Sequence, residues 1–308
     1  MILDRPLRAA ILAAADSSVV RGIVTRYGFR LGAARFVAGE TAEDFLSVAA
    51  SLNAQGFAVA CGILGEGVRE PAEAAAATDE YCRLLDVFAH RRIDANVAFK
   101  PTHVGLDLDP ELAFANASRI ARAALANGNT VRLDMEQSRY VDPTLATYRR
   151  LRETFSNVGF VLQACLMRSL DDLRAALPLR PNVRLVKGAY LEPPSIAYAK
   201  KRDVDESYVR LAELALSGEG YTAIATHDAA IVERVERFAA ERGHPKQGRF
   251  EFQMLYGIST PLARRLIERG YRVRLAVPFG RYWFPYLMRR LAERPANVAF
   301  VVRGAFRS

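Results

Sequence analysis

A chain of 308 residues that is 51% hydrophobic can bury a large core, as one α/β domain of barrel size or as two smaller ones, and composition alone does not choose. Its 43 lysines and arginines exceed its 34 acids by nine, but the signs are interleaved, as in KKRDVDESYVR, so a dedicated nucleic-acid surface is not expected. Three cysteines, Cys61, Cys82 and Cys165, lack CxxC spacing, which excludes a disulfide framework and a zinc knuckle and fits a reducing cytoplasm; no apolar stretch approaches the ~20 residues that span a bilayer.

The opening MILDRPLRAAILAAADSS reads as an amphipathic helix, because acids and arginines break its apolar run. Residues 1–38 are therefore read as an N-terminal helical segment and 39–308 as the main domain. From about residue 40, apolar β-like runs alternate with amphipathic helical stretches. Several of the helices end in glycine just before the next run: NAQG before FAVACGIL, LANG before NTVRLD, IERG before YRVRLAV. In chain order the predicted strands are 57–64, 95–100, 130–134, 158–163, 183–187, 221–226, 250–255 and 271–277. Their continuous apolar character indicates parallel strands covered on both faces, with helices as crossovers. Eight such strands close a (βα)8 TIM-type barrel. A doubly wound sheet would carry a glycine-rich phosphate turn after an early strand, and the sequence has none.

Barrel chemistry sits at the C-terminal strand ends. Here those ends carry Glu66, Lys100, Asp134, Gln163, Lys187, then Thr226, His227 and Asp228 together, then Gln253 and Leu255. Each alone is commonly a cap or a solvated loop residue, but the regular placement of polar groups indicates a site. The four histidines are scattered, and only His103 and His227 fall near strand ends, so no metal site is expected. What remains is a basic, amide-bearing pocket built from Lys100, Arg184, Lys187, Arg289 and Arg290. The last two stand side by side in the helical pattern YLMRRLAERP; neighbours on a helix lie about 100° apart, so burying both heads calls for an anion. A phosphorylated cofactor and a carboxylate substrate both satisfy such a pocket. A Schiff-base lyase acting through Lys100 or Lys187, or a ligand-binding barrel without catalysis, stays open at this point.

Six strings carry a resemblance: RLDMEQS at 132, VLQA at 161, RLVKGAYLEP at 184, ATHD at 225, FEFQMLYGI at 250 and YLMRRLAERPANVAFVVRG at 286. Together they resemble proline dehydrogenase, the flavin enzyme of proline catabolism, in its short monofunctional bacterial form, along essentially the whole chain. The resemblance implies a distorted barrel that holds FAD at its strand C-termini and oxidises a C–N bond of proline or a proline-like amino acid to an imine. It implies that Arg289, Arg290 and Lys100 hold the substrate carboxylate, with Asp134 joining them in catalysis. Tyr190, Leu255 and Ala276 then wall the substrate pocket. Asp134, Met135, Gln163, Arg184, Lys187, Gly188, Ala189, Thr226, His227, Asp228, Gln253 and Glu293 contact FAD. A quinone or another acceptor takes the electrons. With the charge of +9, this implies a cytoplasmic protein with weak peripheral contact at the inner face of an anionic membrane.

Two positions depart from the family pattern. CGILGE has Gly62 where the family usually has an aspartate, and RLAVPFG has Ala276 where it has a tyrosine. Both remove side chains from one pocket. A void of that kind costs contacts with a proline ring, so a bulkier, N-substituted or hydrazine-type amino acid competes with proline as the expected substrate.

Overall fold

The computed structural model describes residues 33–65 and 67–293; the side chains of Arg289, Leu291, Ala292 and Glu293 are outside the described set. Most of the expected helical segment 1–38, and Glu66 at the end of the first strand, therefore lie outside the described residues.

Eight strands form a closed barrel in sequence order: β1 Ala58–Ile63, β2 Ala95–Phe99, β3 Val131–Leu133, β4 Val158–Gln163, β5 Asn182–Val186, β6 Tyr221–Ala225, β7 Phe250–Leu255 and β8 Val273–Phe279. Every neighbouring pair is parallel, and the ring closes where β1 pairs with β8, from Ala58 opposite Arg274 to Ile63 opposite Phe279. The expected (βα)8 architecture is thus the one found. The last strand lies two residues later than the apolar run suggests. Gly270, at φ +88, turns the chain out of the preceding helix, and Tyr271 caps that helix through its N–H to Leu266 O. At the other end Pro278 stays in the ladder opposite Gly62, its carbonyl accepting from Ala38 N.

Nine α-helices lie among the described residues: α1 Ala42–Ala54, α2 Pro71–Arg91, α3 Pro110–Ala126, α4 Val141–Arg152, α5 Ser169–Ala176, α6 Lys201–Ser217, α7 Ala229–Glu241, α8 Thr260–Glu268 and α9 Trp283–Glu293. Their starts are written locally. Thr41 and Asp44 form a capping box on α1, Asp109 caps α3 just before Pro110, and Asp228 caps α7. The helices bury one face against the strands, where Tyr148 stacks on Phe160 at 4.4 Å and Phe45 packs on Phe88 and Phe279. A second apolar cluster joins Phe36, Val37 and Ile258 to Trp283, Phe284, Leu287 and Met288. With Trp283 Nε1 donating to Glu40 Oε1 at 2.7 Å, it seats α9 across the barrel mouth.

The barrel interior is charged rather than aliphatic. Arg132, Glu251 and Arg274 are buried inside it, Arg274 Nε donating to Glu251 Oε1 at 2.8 Å and Nη1 to Val59 O at 2.8 Å. Burial alone would raise the Glu251 carboxyl, but Arg274 beside it brings it down to about 2.

Candidate active site

The small side chains Ala60, Ala98, Ala225 and Ala276, with Gly62, leave the C-terminal end of the barrel hollow. The resulting cavity measures about 800 Å³. Lys100, Asp134, Met135, Gln163, Arg184, Lys187, Gly188, Ala189, Tyr190, Thr226, His227, Asp228, Gln253, Leu255, Ala276 and Arg290 all line it. The remaining two residues on which the sequence places a role, Arg289 and Glu293, belong to α9, but their side chains lie outside the described residues.

Each strand end delivers its residue for a local reason. β3 ends at Leu133, and Asp134 follows it, its N–H tied to Phe99 O at 2.8 Å. From there its carboxylate reaches across β4 to accept from Nη2 of Arg184 on β5. Gln163, the last residue of β4, is 2% exposed and donates through Nε2 to Glu136 O at 2.9 Å. The Glu136 carboxylate in turn accepts from Thr102 N at 3.1 Å and Thr102 Oγ1 at 2.7 Å, which ties the loop after β2 to the loop after β3. Lys100 opens the short turn Pro101–Val104 at the end of β2.

The other half of the rim is an ionic cluster. Lys187 Nζ lies 2.5 Å from Asp205 Oδ1 and 2.9 Å from Asp228 Oδ2, and Lys201, at the start of α6, reaches the same two carboxylates. Burial works against the Asp228 charge, but the hydrogen bond and charge of Lys187, supported by Lys201, hold its carboxyl at about 2. Next to it, the imidazole Nε2 of His227 accepts from Leu255 N at 2.9 Å, so Nδ1 carries the proton of the neutral ring. After Lys187 the chain turns at Gly188 with φ +107, where a Cβ would sit 2.2 Å from Cys165 Sγ; glycine is required there.

From α9, Arg290 lines the cavity with its guanidinium 5.2 Å from the centre of the Tyr286 ring. Tyr286 itself lines the cavity together with Gly62 and Ala276. Two residues of this neighbourhood, Lys201 and Glu136, are ones that sequence reasoning passed over. Glu136 stood inside RLDMEQS and Lys201 inside KKRDVD, but strand-end placement does not reach a helix start or a residue three places past a strand, and the resemblance gave neither a role.

The donor set fits a flavin dinucleotide. Cationic and amide groups ring the mouth, small apolar side chains such as Ala60, Ala98 and Ala225 line the space with them, and the volume lies at the upper end of the 300–1,000 Å³ typical of ligand pockets. Two lining residues also carry buried polar atoms with no protein partner, Arg184 Nε and Gln253 Oε1. Tyr81, Met254 and Val186 complete the apolar walls.

Residues 45–303 match the family described as Proline dehydrogenase. Proline dehydrogenase of Deinococcus radiodurans is 41% identical over 308 residues, covering 98% of this chain and 99% of that one. Proline dehydrogenase 1 of Bacillus subtilis subsp. natto is 39% identical over 298 residues, covering 97% and 98%. Among solved structures, proline utilization A from Bdellovibrio bacteriovorus inactivated by N-propargylglycine superposes with a TM-score of 0.82 at 25% identity; the match covers 89% of this chain and 34% of that much longer one.

Proposed function

We propose that this chain, which belongs to the proline dehydrogenase family, oxidises proline at the bond between its ring nitrogen and the adjacent carbon, giving the cyclic imine, with FAD as its cofactor. One observation carries the reading: fourteen of the expected site residues, all from the six strings, together with Lys100, line a single cavity at the C-terminal end of the barrel. FAD, when bound, supplies the hydride acceptor.

The chain's own residues supply binding and orientation. Arg290 and Lys100 hold the substrate carboxylate, and the family pattern gives Arg289 the same role; a guanidinium fixes the direction of a carboxylate as well as its charge. Tyr190, Leu255 and Tyr286 close the apolar wall around the ring and keep water out. Arg184, aimed by Asp134, places a fixed cation at the cofactor's reactive ring. Gln163 and Met135 border the same ring, as does Gln253. Lys187, Gly188, Ala189, Thr226, His227, Asp228 and Glu293 hold the rest of the cofactor.

The expectation of a bulkier or hydrazine-type substrate is not favoured. Relatives matched over nearly the full chain are proline dehydrogenases, and Tyr286 from α9 lines the same cavity as Gly62 and Ala276. The Schiff-base alternative also loses ground, because Lys187 Nζ is engaged by the carboxylates of Asp205 and Asp228 rather than presented to a substrate carbonyl.

The electron acceptor is a quinone-type oxidant, and the working compartment is the cytoplasm with weak contact to an anionic bilayer. What supports the contact is the loop after β5. Leu191 is 83% exposed, Ile196 in the same loop is exposed and accepts from the N–H of exposed Met167, and Lys200, Lys201 and Arg202 follow. No helix among the described residues is long and apolar enough to cross a membrane. Sedimentation with vesicles rich in anionic lipid at low salt tests the contact; absence of binding there contradicts it. Reduction of the bound flavin by proline under anaerobic conditions tests the activity.

A further inference from the structure

Beneath the pair formed by Asp134 and Arg184 lies a second cross-strand rung. In register, Arg132 on β3 stands opposite Gly159 on β4, and Gly159 opposite Asn182 on β5. Because Gly159 has no side chain, Arg132 reaches over β4 and donates through Nη2 to Asn182 Oδ1 at 2.5 Å. A Cβ on residue 159 would come within 2.4 Å of Asn182 O and 3.2 Å of the asparagine side chain. Two residues further along, roughly 7 Å up the barrel, β3 and β5 carry the upper rung at the cavity wall.

The charges of this core do not cancel. Arg274 is matched by Glu251 and Arg184 by Asp134, whereas Arg132, 1% exposed, has no carboxylate among the described residues within 4 Å. Its Nε and Nη1 are buried without a protein partner. Burial, and then the like charge of Arg184, lower its pKa to about 10, so it remains a cation at neutral pH. Burying an arginine and pairing it with a neutral amide costs stability that an aliphatic barrel core would not.

Resting on the reading that the cavity holds FAD, we propose that Arg132 is a positioning residue: its uncompensated charge, acting through the Asp134 and Arg184 rung, favours negative charge on the flavin ring and so sets how readily the ring is reduced. The surplus cation is the term that a barrel floor of neutral residues would lack.

Sulfite tests this without turnover. It adds through sulfur to flavin N5 and leaves the ring anionic, so its affinity reports the positive potential there. Arg132→Met removes the charge; Arg132→Lys keeps it. Asn182→Asp keeps the guanidinium and its packing but supplies the missing counter-anion. A unit charge about 10 Å away at an effective dielectric constant of about 20 changes an affinity by roughly tenfold. The expected result is sulfite binding weakened roughly tenfold in Arg132→Met and Asn182→Asp, with the flavin potential moved more negative, and near wild-type values in Arg132→Lys. If Arg132→Met fails to retain flavin, Asn182→Asp decides alone. Unchanged sulfite affinity in Asn182→Asp overturns the proposal and leaves Arg132 as a packing element. A colourless wild-type protein would instead defeat the FAD reading on which it rests.

Discussion

Asp134 and Arg184 meet at the mouth of the barrel from strand ends that are not neighbours, the aspartate accepting from the arginine Nη2 above β4. The pair fixes a cation whose long side chain would otherwise sample several rotamers. Asp134→Ala removes a charge-assisted hydrogen bond of about 1.5–3 kcal/mol, so kcat/KM for proline is expected to fall roughly ten- to a hundredfold. Thermal stability should change little, because the aspartate side chain is about a third exposed, at 29%. Steady-state kinetics beside a melting curve separates the two quantities; unaltered kinetics would mean that Arg184 is held by something else.

Glu251 governs behaviour in acid. Its folded carboxyl sits at about 2, below the ordinary carboxylate value of 4.5. The stability it contributes is therefore complete above about pH 4.5 and is lost as pH falls toward 2. Glu251→Gln leaves Arg274 buried without its partner and should cost about 3–5 kcal/mol at neutral pH. Urea unfolding between pH 3 and 6 should show a shallower acid decline in the mutant than in the parent; parallel curves would contradict the assignment.

The eight strands were legible because both faces of each are covered, which forces continuous apolar runs, and because the turns before them require left-handed backbone. Gly56, Gly128 and Gly270, at φ +85, +61 and +88, are the glycines of NAQG, LANG and IERG. The end of β8 was not legible, since Pro278 reads as a breaker until closure against β1 is known. Strand-end position brought Lys100, Asp134, Gln163, Lys187, Gln253, Leu255 and the Thr226–Asp228 run into view, and the family resemblance supplied most of the other named site residues. It could not reveal the interior pairing of Arg132, Glu251 and Arg274, because which face of a strand points inward, and what stands opposite across the barrel, follow only from closure and register. Gly62 and Ala276 illustrate the same limit: sequence shows two missing side chains, and only the seating of α9 shows Tyr286 at the same cavity.

Lys187→Met should weaken cofactor retention. Without that ammonium, Asp205 and Asp228 face each other with Lys201 as their remaining bridge, and the rim becomes net negative where phosphate groups are expected. The flavin-to-protein ratio after desalting should drop well below that of the parent protein. A ratio equal to the parent's would assign Lys187 a purely structural part.

Ala276→Tyr adds a ring to a cavity that Tyr286 also lines. Overpacking of this kind costs about 1–3 kcal/mol, so proline kcat/KM should fall by one to two powers of ten. Improved proline turnover in this variant would revive the reading of a pocket widened for another amine.

The most direct test is to mix the purified protein with L-proline in the absence of oxygen and record its visible spectrum. The account predicts a yellow protein whose flavin absorbance near 450 nm is bleached by L-proline, with free FAD recovered after acid denaturation, and bleaching that needs far more proline in Arg290→Met. A colourless protein, or a flavin that L-proline leaves oxidised, would contradict it.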